Sequence, residues 1–344
     1  MGTAEAEGGV RRMRTRRGTT WPRGWGGLGA MGLACALTGT LVLALPRHDA
    51  ADGGTADRGG SGTTVVTSAR ADADDCNDRS PSPSPKDGPT IEKIKNREVK
   101  KLIVGVDQNS YRWGYRDPNK KGGELEGFDI DLAHRIAKEI FGDPDAVVFR
   151  AIPTNQRIPA LKSGQVDMVV RTMTINCDRL ADVDFSTGYF ETGQQVLAPK
   201  KSSITGYNPT LAGKKVCSAS GSIAEEELKK KNYGADISTT VPNQLDCLVR
   251  LQLGEVDAVV TDSALAAGQA AQDPTVELKG EEPFTTEHYG VAMKKGSEDL
   301  VRRVNKVLAD FREDEANGWE KSYDTWLKKG LGTSPGPPKP EYRD

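Results

Sequence analysis

Ten residues are written almost twice in this chain. LKSGQVDMVV runs from Leu161 to Val170, and LQLGEVDAVV runs from Leu251 to Val260, ninety positions later. In each copy a helical stretch meets a glycine: IPALKSG ends on Gly164, and PNQLDCLVRLQLG, with Pro242 near its start, ends on Gly254. Glycine tolerates the positive φ that closes a last helical turn. The short β-branched run that follows suits a strand buried in a parallel sheet. The alternation extends outward. LIVGV (102–106) reads as a strand. FDIDLAHRIAKEIFG reads as a helix with Ile130, Ala133, Ile136, Ala137, Ile140 and Phe141 on one side and Gly142 behind it. AVVFRAI reads as another strand, and KKVCSA as a strand before the helix SIAEEELKKK. This βαβα rhythm predicts an α/β fold of parallel sheets covered by helices. Two related halves predict two lobes.

In open α/β sheets, ligands bind beyond the carboxyl ends of the strands. Arg171-Thr172 and Thr261-Asp262 fall at that position in the two copies. Packing explains the glycine and the strand, but not a polar pair directly after each strand. Each copy is therefore expected to bring one wall of a cleft. RTMTINCDR (171–179) adds the hydroxyls and N–H groups of Thr172 and Thr174 and the five-donor fork of Arg179, suited to a carboxylate. SASGSIAEEE (218–227) is a small-residue turn opening a helix, where the backbones of Ser222 and Ile223 could bind an anion. Asp262 could accept an ammonium. Each has a plainer reading. Arg179 lies among Asp178, Asp182 and Asp184 and would suit a surface ion pair, Ser220 or Ser222 would cap its own helix, and Asp262 would cap the next one. Together the functional readings describe a site for a zwitterion.

The 344 residues carry a net charge of −2, which gives no overall attraction to nucleic acid. Residues 1–24 are basic, with Arg11, Arg12, Arg14, Arg16, Arg17 and Arg23, and 25–46 are apolar and uncharged. This order predicts an export signal or membrane anchor. A lipid anchor at Cys35, a retained helix and a cleaved signal all remain open. Residues 47–89 read as a disordered tether and the Pro-rich 333–344 as a loose tail. Outside the membrane segment stand Cys76, Cys177, Cys217 and Cys247, which allow three pairings if the domain lies outside the cell. None has CxxC spacing, so no zinc site is expected, and no dinucleotide motif or other cofactor signature occurs.

The motifs IVGVD, GFDIDLAHRIAKEI, NQRIPALKSGQVDMVVRTMTI, DFSTGYF, SGS, GEVDAVVTD and YGVAMKKGS follow one another in the order found in bacterial polar-amino-acid solute-binding proteins of family 3. The chain resembles that family over roughly 90–331, and most of all its actinobacterial glutamate/aspartate/glutamine-binding lipoproteins. The resemblance implies the two-lobed type II periplasmic-binding fold, with lobe one at 90–195 plus 290–332, lobe two at 198–287, and hinges near 195–198 and 287–291. It implies that Arg179 takes an α-carboxylate with Thr172, Thr174, Ser222 and Ile223, and that Asp262 takes the α-ammonium. Arg157 matches the position reaching a distal carboxylate, and Arg171 adds a second cation there, favouring Glu or Asp over Gln. Asp107 also falls at the site. Thr154 and Ser110 stand where some relatives carry Phe, so Tyr111, Trp113 or Tyr115 is expected to cover the ligand. The implied disulfides are Cys217–Cys247 and Cys76–Cys177.

Two function classes follow. One is a monomeric, non-enzymatic receptor that closes on an extracellular amino acid and presents it to an ABC permease or a membrane sensor. The other is an enzyme on the same scaffold, a dehydratase of prephenate- or arogenate-like acids. The second needs a general acid in the cleft, and no GxSxG or HExxH motif supports other hydrolytic chemistry.

Overall fold

The computed structural model describes residues 76–334 and 336–344. The basic segment, the apolar run at 25–46 and the tether up to residue 75 lie outside that range. Among the described residues no helix is long and apolar enough to cross a membrane.

Two five-stranded sheets organise two lobes. In the first, Leu102–Val106 is central between Val147–Ala151 and Met168–Val169, both parallel to it. Ala292–Lys294 and then Val183–Phe185 complete the sheet, with Ala292–Lys294 antiparallel to both its neighbours. In the second, Lys215–Ala219 runs parallel to Asp236–Val241 and Ala258–Asp262. Gln194–Pro199 then pairs antiparallel with Ala258–Asp262 and with Val276–Lys279. Each sheet is thus mixed: three parallel strands, then an antiparallel strand that directly follows a crossing between lobes.

The repeat has the same geometry twice. Gly164 and Gly254 both have φ +72°, and each closes its helix by donating to the carbonyl three residues back. Asp167 accepts from Ile103 N at 2.9 Å while its own N–H donates to Ile103 O. Asp257 does the same with Lys215, accepting at 2.8 Å. The aspartates of the repeat therefore fix strand register at the start of each central strand. They turn away from the cleft end, which leaves the residues after the strands to form its walls.

The lobe-one core packs the apolar face of helix Phe128–Phe141 against helix Glu298–Glu313, whose Leu300, Val301, Val304, Val307, Leu308 and Phe311 recur at helical spacing. The lobe-two sheet is covered on both faces by separate clusters, one around Leu228 and Val260, the other around Leu248 and Val259. The disulfides join Cys76 to Cys177 and Cys217 to Cys247, each with Cα atoms 5.6 Å apart, in the pairing the resemblance implied.

Three boundaries differ from expectation. The crossing is a two-stranded antiparallel ribbon of Phe190–Thr192 with Glu287–Tyr289, so the first hinge lies before 195–198. Residues 194–199 already serve as an interior strand of lobe two, because their apolar run Val196–Ala198 is buried there. Residues 76–89, expected to belong to the tether, are packed on lobe one. Buried Ser80 donates to Phe185 O at 2.8 Å, and Asn305 donates to Ser80 Oγ and Pro81 O. The end of the Pro-rich tail is docked: Tyr342 bridges Ser80, Arg343 N donates to Ser80 O, and Ser82 N donates to Asp344 Oδ1 at 2.8 Å. Composition misled at both ends because these segments gain order from pairing with each other.

Candidate functional site

The four residues that follow the two copies of the repeated sequence line one cleft. Arg171 and Thr172 come from lobe one and Thr261 and Asp262 from lobe two. Thr154, Arg157, Thr174, Arg179, Gln194, Ser222, Ile223, Gln244 and Leu265 complete most of the lining.

Arg179 sits in the first turn of helix Cys177–Asp182, whose start is capped by Asn176 accepting from Arg179 N at 2.9 Å. Its guanidinium is 5 % exposed and pairs with none of the neighbouring aspartates. It donates instead to Thr174 O at 2.8 Å and across the cleft to Gly221 O at 3.3 Å. Arg157, 4 % exposed, donates to Thr154 O, Arg171 O and Thr172 O, and from Nη2 to the same Gly221 O at 3.4 Å. Burial, and for Arg157 the adjacent Arg179 and Arg171, lowers the pKa of both groups. A guanidinium does not deprotonate on that account, so two buried cations without a carboxylate partner among the described residues converge on one point. Arg157 therefore stands beside Arg179 and not apart from it at a far end of the cleft.

Arg171 differs. Its Nη2 lies 2.8 Å from Asp107 Oδ2, with the two side chains 2 % and 4 % exposed. Its other donors reach Thr154 Oγ1 and Asn243 Oδ1, both at 3.1 Å. Asp107 accepts in addition from Gln108 N, Asn109 N, Ser110 Oγ and Gln244 Nε2. Burial alone would raise this carboxyl, but Arg171 and these donors hold it below the usual range. Asp107 is consumed by this cluster and does not line the cleft, whereas Arg171 lines it with its charge already matched. Arg171 therefore does not supply the second unbalanced cation expected at the side-chain end, because Asp107 neutralises it.

On the opposite wall, Asp262 occupies the N-cap position of helix Ser263–Gln272 but caps nothing with its side chain. Its Oδ1 accepts from Gln194 Nε2, which also donates to Glu287 Oε1 at 2.9 Å. Burial, then the nearby Glu287 charge, push the Asp262 carboxyl up to about 7. Ser222 does cap its helix, accepting from Glu225 N at 3.2 Å, while still lining the cleft beside Ile223. Trp113 is not a lid. It is 1 % exposed and packs edge-on to Phe190 and Tyr289 in the lobe-one core, with its Nε1 donating to Ala264 O. A ring that large is held by the apolar area it buries there. Tyr111 and Tyr115 pack on each other and also stand outside the lining.

Sequence reasoning missed Asp129, Gln194, Gln244 and Glu287. Asp129 is buried in the first turn of helix Phe128–Phe141, accepts from Thr172 N at 3.1 Å and from Tyr189 OH at 2.8 Å, and is pushed by burial up to about 7. It holds Thr172 at φ +38°, a conformation that strains a β-branched residue and aims the turn at the cleft. The one available signal was the FDID motif, whose first Asp falls on the apolar side of the helix.

A family model described as bacterial extracellular solute-binding proteins, family 3, matches residues 102–329. The chain is 35 % identical over 240 residues to the ABC transporter glutamine-binding protein GlnH of Bacillus subtilis, covering 70 % of this chain and 85 % of that protein. It is 29 % identical over 258 residues to the L-glutamate/L-aspartate-binding protein of Pseudomonas aeruginosa, covering 73 % and 82 %. Among solved structures, an ancestral arginine-binding protein bound to glutamine is 37 % identical with a TM-score of 0.60, covering 68 % of this chain and 98 % of that one. The solute receptor for L-cysteine of Neisseria gonorrhoeae is 26 % identical with a TM-score of 0.66, covering 72 % and 98 %. Two lobes of this topology facing one polar cleft, together with a match spanning most of both, establish that the chain belongs to the bacterial extracellular solute-binding proteins, family 3.

Proposed function

We propose that the protein captures one polar α-amino acid of the acidic or amide class between its lobes and presents the closed form to a membrane partner, an ABC permease or a sensor. The observation that carries this reading is the pair of buried guanidiniums, Arg157 and Arg179, which make no ion pair among the described residues, with the Asp262 carboxyl across from them. Uncompensated buried charge costs several kcal/mol, which a ligand of opposite charge relieves. Arg179, with Thr172, Thr174 and the helix start at Ser222-Ile223, receives the α-carboxylate, and Asp262 the ammonium. Arg157 offers its remaining donors to a side-chain carboxylate or amide. Because Arg157 lacks a partner, glutamate and aspartate are favoured over glutamine and asparagine. Relatives that bear the names of glutamine and of glutamate/aspartate binders support the class. The apolar segment at 25–46 would hold the domain at the outer membrane face.

Calorimetric titration of glutamate, aspartate, glutamine and asparagine tests the reading. Wild type is expected to bind at least one with a Kd near micromolar, about −8 kcal/mol. Arg179→Met should weaken binding at least a hundredfold. Arg157→Gln should narrow the preference for acidic over amide ligands. Binding that survives Arg179→Met unchanged rejects the assignment.

A further inference from the structure

The wall opposite the guanidiniums holds two carboxylates. Gln194 Nε2 bridges them, donating to Asp262 Oδ1 and to Glu287 Oε1. Glu287 is fixed by Thr174 Oγ1 and Thr285 Oγ1, each donating at 2.7 Å. It belongs to the crossing strand Glu287–Tyr289, so it is held at the hinge, while Asp262 belongs to lobe two. The bridging atom must be the amide nitrogen, since an amide oxygen would face two carboxylates. Gln194 Oε1 is left buried with no hydrogen-bond partner. It is an acceptor in a side chain that lines the cleft. An acceptor without a donor, beside a carboxyl that burial and a like charge push up to about 7, describes a site that is incomplete until a cation arrives.

We propose that Glu287 is a positioning residue that keeps Asp262 partly protonated in the free protein, so that capture of the ligand's ammonium expels the Asp262 proton to solvent. The inference rests on the reading of Asp262 as the ammonium acceptor. Glu287 need not touch the ligand. It acts through its charge and through the shared Gln194 amide, and the arriving ammonium replaces the proton as the group separating two negative charges, with Gln194 Oε1 as its second acceptor. A hydroxy acid lacking the ammonium cannot drive that exchange, so the pair also selects against it.

The other groups around Asp262 are Arg157 and Arg179 from lobe one and Tyr289 on the crossing strand. The guanidiniums stay charged between pH 6 and 8, and burial pushes the Tyr289 phenol further above its ordinary value. One further carboxyl, Asp129 under Thr172, is raised into that window by burial. His288 sits half-exposed on the outer side of the hinge, 3.2 Å from Glu191.

The test is glutamine titrated by calorimetry at pH 6, 7 and 8 in buffers of different ionisation enthalpy. An acid of pKa near 7 that is ionised in the complex releases about half a proton per ligand at pH 7, and affinity weakens about tenfold from pH 8 to pH 6. Glu287→Gln removes the like charge. It should reduce the proton release at pH 7 and move the pH dependence to lower pH while still binding ligand, whereas His288→Gln should change neither. Infrared difference spectra of the wild type give an independent readout: a protonated-carboxyl band should vanish on adding ligand. A flat wild-type profile without proton release overturns the proposal. So does proton release that is undiminished in Glu287→Gln, and so does an infrared spectrum without the lost band. Failure of wild type to bind any amino acid instead overturns the proposed function itself.

Discussion

Asp107→Asn is the perturbation whose size the structure fixes best. The carboxylate is the counter-ion of Arg171, at 2.8 Å, and both side chains are almost wholly buried. Removing one partner of such a pair typically costs about 3–5 kcal/mol, because the other charge is left in a medium that cannot solvate it. Asparagine keeps an oxygen for Gln108 N and Asn109 N, but its NH₂ must face Arg171 Nη2 and Gln244 Nε2, both donors. The lower end of the range, about 3 kcal/mol, is therefore a minimum. For a domain of this size each kcal/mol is worth about 2–4 °C, so the ligand-free variant should melt about 6–12 °C below wild type. Arg171→Met should cost less than Asp107→Asn, since the carboxylate retains its N–H and hydroxyl donors. The double variant Asp107→Asn/Arg171→Met should recover much of the loss, giving a coupling of about 2 kcal/mol or more in a double-mutant cycle. Freed of Asp107, Arg171 also becomes available to the cleft, so Asp107→Asn should shift ligand preference toward glutamate. A melting temperature within about 2 °C of wild type for Asp107→Asn, or a double variant no more stable than it, would show that the pair carries no such energy.

Two further outcomes are expected. Gly221 has φ +75°, and an added Cβ would lie 3.0 Å from Asn155 Cα across the cleft. Gly221→Ala should therefore hold the lobes apart and weaken ligand binding about tenfold or more, with a circular dichroism spectrum like wild type; an unchanged Kd refutes the closure geometry. The Cys217–Cys247 bridge closes a loop with a sequence separation of 30, so Cys217→Ser/Cys247→Ser should lose about 3–4 kcal/mol of stability. A denaturation midpoint matching wild type would contradict that.

The fold was legible because its signal is local and repeated. A glycine that must accept positive φ, an aspartate that ties one strand to the next and a β-branched run recur at Gly164–Val170 and Gly254–Val260, and their spacing sets the two-lobe plan. The positions after the strands followed directly, since topology alone puts them at the cleft. Segment order at the termini was not legible. Apart from Pro81 and Tyr342, PSPSP and PPKPEYRD offer little apolar surface to bury, and both are held by Ser80, Ser82, Tyr342, Arg343 and Asp344, which satisfy each other's backbone and side-chain groups at long sequence separation. Trp113 was misplaced for a related reason, because an aromatic residue serves equally well as a lid or as core and only the surrounding rings decide which.

Charge pairing was the least legible feature, and it matters most for the ligand. Arg157, Arg171 and Arg179 are three identical letters within 23 positions. Read along the chain, Arg179 has the acidic neighbours Asp178, Asp182 and Asp184 and should be neutralised, while Arg171 has only Asp167 within five positions, and that side chain is taken up by Ile103 N and Arg97. The fold reverses this. Helix Cys177–Asp182 turns Arg179 into the cleft and leaves Asp178 and Asp182 on other faces, with Asp182 pairing to Lys162. The strand Leu102–Val106 meanwhile delivers Asp107 to Arg171 from 64 positions away, because it lies next to Met168–Val169 in the sheet and both chains emerge at the same end. Two parallel neighbours in a sheet thus cancel one cation and leave two. On the proposed reading, strand order sets which ligand charge the cleft accepts, and a substitution at Asp107, outside the lining, is expected to reach the ligand through Arg171.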